Sequence, residues 1–164
     1  GALGVKEEAA LGLIEQVVLE TDVTTTVPTM KAFAQTVADG VTPDAKSLMS
    51  MLVKAADISN PARPLATYER WIDGGMVEFF AQGDAEKAKG LPISMNCDRE
   101  TVMMPKAQVG FITFLVAPLY QALLSYAPSL QPIVKQLEAN RAHFASVSDP
   151  KVNETPSTDA LKAK

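Results

Sequence analysis

The sequence predicts an all-α fold of about six helices with no sheet. Three observations carry that expectation. Apolar residues recur three and four apart through most of the chain, the spacing of one helix face. No stretch shows the strict alternation of a half-buried strand. Helix punctuation falls where the periodic runs stop and start, as at Gly40 and Thr42-Pro43-Asp44.

The elements follow in order. In EEAALGLIEQVVLETD, Ala10, Leu13, Ile14, Val17 and Val18 fall at helical spacing. In VPTMKAFAQTVADG, Met30, Phe33, Ala34 and Val37 do the same, and Gly40 suits a C-terminal cap. Thr42-Pro43-Asp44 reads as a helix start, with a capping side chain, Pro at the first position and an acid in the first turn. Leu48, Leu52 and Ala55 then share a face up to Asp57. A new helix starts near Pro64, with Leu65, Tyr68, Trp71, Ile72, Met76 and Phe79 on its apolar side. Gly74-Gly75 weakens it by about 1 kcal/mol per glycine relative to alanine. Residues 90–99 read as a loop. A long apolar helix covers 103–126, kinked at Pro118, which cannot donate a helix hydrogen bond. A last amphipathic helix covers 130–146. From Val147 the chain is mostly polar, so the boundaries are a domain over 1–146 and a disordered tail over 147–164. There is no internal repeat.

Composition narrows the class. A chain of 164 residues suffices for one domain with a core. Its 47% apolar and 21% charged residues are ordinary for a globular protein. The net charge of −4 and pI of about 5.0 exclude a nucleic-acid surface, which needs clustered Lys and Arg. The most apolar stretch, VGFITFLVAPLYQALL, falls short of the roughly 18–20 residues of a membrane span and is broken by Pro118. GALGVKEEAALG lacks the basic-then-apolar order of a signal peptide. The single Cys97 permits neither an internal disulfide nor a cysteine metal cluster. These features fit a cytoplasmic protein.

Two stretches carry candidate chemistry. In LVKAADISNPARP, residues 52–64, an apolar helical run arrives at Asp57 and turns at Asn60-Pro61. A carboxylate at the buried end of a helix is costly unless something pairs with it. Either Asp57 accepts hydrogen bonds from the Ser59-Asn60 turn, or it binds a metal, since hard divalent cations take oxygen ligands. In KAQVGFITF, residues 106–114, Gln108 and Phe111 share a helix face among apolar neighbours. They are either core residues or a base site. A Gln amide offers a donor and an acceptor side by side, matching a purine edge, and Phe111 could stack on the ring.

The series DISNP, YERW, EFFAQGDAEKAKGLPIS, CDR and QVGFI closely resembles the catalytic domain of class I 3′,5′-cyclic nucleotide phosphodiesterases, over roughly Leu13 to Phe144. The resemblance implies that the chain is the C-terminal helical portion of a compact multi-helix domain. It implies that Asp57 completes the first metal site, normally zinc, and that Asn60 and Pro61 form a turn lining the purine pocket. Ile58 matches the residue that clamps the base opposite Phe111, and Gln108 the glutamine that holds the purine edge. Tyr68, Trp71, Met76 and Phe79 match pocket-wall positions. Thr21 and Asp22 resemble a pair near the water shell of the second metal. The cofactors implied for the complete domain are two divalent ions, Zn with Mg or Mn.

The departures from the family pattern are as informative. The other metal ligands and the general-acid histidine belong to an upstream half with an HNxxHAxDV motif, which these residues do not contain. His143 falls where the family has an aromatic residue, and reads as a partly buried helix residue. Family members often have His where Thr26 stands and a pocket-lining Met where Asn96 stands. Gly74-Gly75 replaces bulkier residues. The implied reaction is hydrolysis of cAMP or cGMP to the 5′ nucleotide, with Asn60 tilting the expectation toward cAMP. With no general acid and one metal ligand, the site is incomplete and the chain alone is expected to be nearly inactive. Its implied partners are a cyclic nucleotide and the missing upstream half. Asp57, Ile58, Gln108 and Phe111 are expected on one open concave face, whose apolar surface would favour self-association. The alternative is a non-catalytic helical interaction or regulatory module.

Overall fold

The computed structural model describes residues 7–147. The expected tail at 147–164 therefore lies, beyond Val147, outside the described residues. These residues contain helices and no strand. In order they are α1 (Glu7–Leu19), α2 (Val23–Ala38), α3 (Ala45–Asp57), a 3-10 turn (Asn60–Ala62), α4 (Leu65–Ala88), α5 (Met104–Phe111), α6 (Ala117–Tyr126) and α7 (Gln131–Ser146). The chain forms two compact units. Residues 7–59 with 114–135 make the first, and residues 60–113 with 136–147 the second.

In the first unit α3 packs on α1, α2 and α6, and α2 packs on α6. Its core includes Val17, Phe33, Met51, Ala55, Leu119 and Leu123. Phe33 meets Tyr126 edge to face, with centroids 6.0 Å apart. Helix α2 begins earlier than the sequence suggested. Asp22 caps it by accepting from the Thr24 amide at 2.8 Å, so Pro28 lies inside the helix. Gly40 does close it, at φ 72°, with Gly40 N–H donating to Val37 O and Val41 N–H to Thr36 O.

Helix α3 differs in two ways from its expected form. The cap is Asp44, not Thr42, because Asp44 reaches the free amide of Ser47 at 2.7 Å. The buried face is Ser50, Met51, Lys54 and Ala55, whereas Leu52 is exposed. Helix α1 forms as expected, yet Leu11, Ile14 and Val18 are more than half exposed, and of its apolar series Val17 is the residue in the core.

In the second unit α4 runs unbroken through Gly74-Gly75 and buries Tyr68, Ile72, Met76, Phe80 and Gly83. The apolar side is thus rotated from the expected one: Phe80 is inside, while Phe79 and Trp71 are exposed at 47% and 62%. Gly90, at φ 66°, ends α4 through Gly90 N–H to Lys87 O and Leu91 N–H to Glu86 O.

The expected kink at Pro118 is a π-helical turn over Ile112–Val116. Proline removes one helix hydrogen bond and crowds the carbonyl four residues back, and widening the preceding turn relieves both. Helical winding therefore continues from Met104 to Tyr126, 23 residues whose most apolar 18-residue stretch has a mean hydropathy of 1.6. That is long and apolar enough to cross a membrane, which corrects the expectation drawn from the apolar run alone. Its C-terminal part carries Leu119 and Leu123 into the core beside α2 and α3, the packing of a core helix.

Candidate functional site

Asp57 and Ile58 belong to the first unit; Asn60, Pro61, Tyr68, Trp71, Met76, Phe79, Gln108 and Phe111 belong to the second.

In the first unit the end of α3 is held from two sides. A helix leaves its last carbonyls without partners. The buried Tyr120 of α6 donates to one of them, Ala55 O, at 2.8 Å. Lys54, buried one turn before Asp57, donates to Thr25 Oγ1 at 2.9 Å. Ile58 N–H closes back onto Lys54 O and Ser59 N–H onto Ala56 O. Asp57 itself is exposed, so the burial cost expected for its carboxylate does not arise. Thr21 donates to Val18 O at 2.7 Å, and the Thr24 amide and hydroxyl hold the Asp22 carboxylate below its ordinary range.

In the second unit the structure brings two expected residues together. The Tyr68 hydroxyl donates to Gln108 Oε1 at 2.7 Å. Burial pushes the Tyr68 phenol far above its ordinary value, so it remains a donor across the physiological range. Its ring meets Phe144 edge to face with centroids 5.5 Å apart, which fixes the hydroxyl. Gln108 and Phe111 are half-buried, one turn apart on α5, and Met76 is buried. The Asn60–Ala62 turn is pinned by Asn140 of α7. Its amide donates to Pro61 O and Arg63 O, both at 2.7 Å, and accepts from Gln136 at 3.0 Å.

Sequence reasoning missed Asn140. The available signal was a polar residue in the buried stripe Leu137–Asn140–Phe144, where an amide must find partners. The QGD, GLPIS and CDR motifs prove to be one clamp. Glu86 accepts from the Ser94 amide and hydroxyl, both at 2.7 Å, and Arg99 Nε donates to Asp84 at 3.0 Å. Gly83 is part of it: a Cβ there would sit 2.0 Å from the Cys97 carbonyl oxygen. His143, expected to be partly buried, is exposed, with its Nε2 4.0 Å from Glu69 and its ring against Phe144. Asn96 is also exposed and adopts φ 65° in the loop.

A metal centre finds no complete set of ligands here. Among the described residues no three His, Cys, Asp or Glu side chains gather to hold an ion. Catalytic zinc takes about three protein ligands, so the described residues do not by themselves complete the metal pair that the resemblance implies.

What they do define is an all-α domain portion with a tyrosine-oriented glutamine beside a half-buried aromatic. A solved structure described as "Structure of LmjPDEB1 in complex with IBMX" matches it with a TM-score of 0.80 at 26% identity, over 88% of this chain and 46% of that one. The helical arrangement is that of the phosphodiesterase catalytic domain. The family model for 3′5′-cyclic nucleotide phosphodiesterase matches residues 5–137, and the chain belongs to that family. The 3′,5′-cyclic-AMP phosphodiesterase isoform F of Drosophila melanogaster is 39% identical over 125 residues, 73% of this chain and 19% of that protein. The 3′,5′-cyclic-AMP phosphodiesterase 4C of Mus musculus is 42% identical over 104 residues, 63% of this chain and 15% of that protein. The chain thus spans less than a fifth of the length of these relatives.

Proposed function

We propose that this chain supplies the base-binding part of a cyclic nucleotide phosphodiesterase, with cAMP as the favoured nucleotide. The Tyr68–Gln108 hydrogen bond carries the reading. It orients an amide whose second acceptor lone pair and two N–H groups remain for a ligand edge. Phe111, one turn on, offers an aromatic face for stacking. Asn60, Pro61, Trp71, Met76 and Phe79 are proposed as the pocket's remaining lining. Two relatives named as cAMP phosphodiesterases support the choice of nucleotide. The reaction served is addition of water across the 3′ phosphoester bond, leaving a free 3′ hydroxyl and a 5′ phosphate. Asp57 is proposed as one ligand of a metal pair, Zn with Mg or Mn, whose other ligands lie outside the described residues.

The test is binding and turnover measured together. Gln108→Ala in the longest natural form of the protein should raise KM for cAMP roughly 5- to 150-fold, the loss of a buried edge contact. The 164-residue chain alone should turn over cAMP hardly at all, because one metal ligand cannot hold a catalytic ion. Robust turnover by this chain that Asp57→Ala abolishes overturns the division of roles.

A second reading, an interaction module, is favoured by α1. Leu11, Ile14 and Val18 lie on one exposed face at i, i+3 and i+7. If that face self-associates, sedimentation of the chain will show concentration-dependent dimers that Ile14→Lys removes.

A further inference from the structure

Asn140 is not among the pocket positions that the resemblance implies, yet it is 2% exposed and commits its whole side chain to one short turn. Its Nδ2 group donates to Pro61 O and to Arg63 O, both at 2.7 Å. Its Oδ1 accepts from Gln136 Nε2, one helical turn back, at 3.0 Å. That third bond fixes which way the amide points. Rotated through half a turn, it would set its oxygen against two carbonyl oxygens and its N–H groups against the Gln136 donor. Gln136, Asn140 and the Asn60–Ala62 turn all belong to the second unit.

The turn has more support than it needs in order to form. Arg63 N–H donates to Asn60 O at 3.2 Å, which already closes an ordinary four-residue turn. The Pro61 ring is buried. Asn140 then ties the carbonyls on either side of Ala62 to α7, which is anchored in this unit by the buried Leu137 and Phe144. None of these contacts uses the Asn60 side chain. It is half-buried, and among the described residues its amide makes no hydrogen bond. A buried amide is costly unless fully bonded, and when fully bonded it fixes one geometry. The geometry fixed here is that of the turn which carries Asn60. We propose that Asn140 is a positioning residue of the base site: from α7 it sets the direction in which the Asn60 amide meets the nucleotide, without touching the nucleotide itself. The inference rests on the reading of Asn60 as pocket lining, and its test separates the two.

The test is a double-mutant cycle on KM for cAMP in the longest natural form of the protein, with Asn140→Asp and Asn60→Ala made alone and together. Aspartate keeps the shape of asparagine and an acceptor for Gln136, but it has no donor for Pro61 O and Arg63 O. Asn140→Asp should raise KM roughly 2- to 10-fold, the loss of one well-placed hydrogen bond, with kcat little changed. In the Asn60→Ala background the same substitution should leave KM where it is, because the side chain it positions is gone. A residue serving stability alone would lower the urea midpoint in both backgrounds and leave KM unmoved. If Asn60→Ala raises KM and Asn140→Asp does not, or if the two effects multiply, the proposal is overturned and the base-site reading stands. If Asn60→Ala leaves KM unchanged, both fall. Should Asn140→Asp fail to fold, Gln136→Ala takes its place. It keeps the Asn140 donors but releases their orientation, so KM should rise with Asn60 present and not with Asn60 removed, and the same results overturn the proposal.

Discussion

Tyr68 holds Gln108 by its carbonyl oxygen, 2.7 Å from a hydroxyl that has no access to solvent. A glutamine amide is otherwise free to rotate through half a turn and exchange donor for acceptor. Here one of the two orientations satisfies the tyrosine proton. On the proposed base-binding reading, selectivity between an adenine edge and a guanine edge would depend on a residue that need not touch the nucleotide.

Tyr68→Phe should therefore do two things. It leaves Gln108 Oε1 without its donor, which should lower unfolding stability by about 1 kcal/mol. It also frees the amide to rotate, so the ratio of cAMP to cGMP affinity should move toward one. Calorimetric titration with both nucleotides checks this, and an unchanged ratio would show that the tyrosine does not set the amide.

The phenol also predicts an alkaline limb. The folded value lies above the ordinary 10.0 because burial disfavours the phenolate. Stability is whole below pH 10.0 and falls as the pH rises past it, since the unfolded chain releases a proton that the folded chain keeps. Tyr68→Phe should flatten the fall between pH 10 and 11 in urea titrations.

Asp57 and Gln108 should separate cleanly by readout. Asp57→Ala in the longest natural form should lower the metal content measured by atomic emission, with KM for remaining turnover little changed. Gln108→Ala and Phe111→Ala should do the reverse. Metal loss in Gln108→Ala with an unchanged KM would exchange the assignments.

How much of this was legible in the sequence follows from how far each signal reaches. Helix positions depend on spacing along the chain, and α3, α4 and α7 lie close to their expected places. Facing is harder. Tyr68 and Met76 were placed inside correctly, but Phe79 and Phe80 are adjacent, and a helix rotates by about 100° per residue, so tertiary packing alone decides which enters the core. Lys54 inside α3 was not legible either. Its burial depends on Thr25, twenty-nine residues earlier, and composition gives no hint that a lysine turns inward. The QGD and CDR motifs were visible as motifs. What they build, a clamp around Cys97, became plain only with Asp84 and Arg99 in contact.

Asn140 should matter more than its distance in sequence from the DISNP turn suggests. Asn140→Leu keeps the branched side-chain shape but strands the buried Pro61 carbonyl, 2.7 Å from the lost amide, and takes one donor from the Arg63 carbonyl. An unsatisfied buried carbonyl costs about 1–3 kcal/mol, so a loss of about that size is expected by urea unfolding. Amide exchange should also quicken at Arg63, whose N–H closes the turn on Asn60 O.

Acid should loosen the loop after α4 before it unfolds the helices. The Ser94 amide, then Gln82 and the Ser94 hydroxyl, hold Glu86 below its ordinary 4.5, and Arg99 holds Asp84 below its ordinary 3.8. For a lowered carboxylate the stabilisation is present above the ordinary value and is lost as the pH falls through the folded one. Both groups are open to solvent, so the effect is local. The Ser94 amide resonance should shift as the pH falls below 4.5, and Glu86→Gln should abolish that titration.

The sharpest steric prediction belongs to Gly83. Alanine in the middle of a helix is ordinarily a gain of about 1 kcal/mol over glycine. At Gly83 the added carbon would stand 2.0 Å from the Cys97 carbonyl oxygen and 2.7 Å from its carbonyl carbon, both backbone atoms that no rotamer can move. The loop must shift, and it is tied to α4 by Glu86–Ser94 and Asp84–Arg99, so the shift strains those contacts as well. Overpacking of this kind costs about 1–3 kcal/mol, occasionally more, and here outweighs the helix gain. Gly83→Ala should lower the urea midpoint, whereas Gly75→Ala on the same helix, with nothing within 4 Å of its added carbon, should raise it. If both substitutions stabilise, the close approach of α4 to Cys97 is wrong. If both destabilise, the glycines serve some need other than room for the loop.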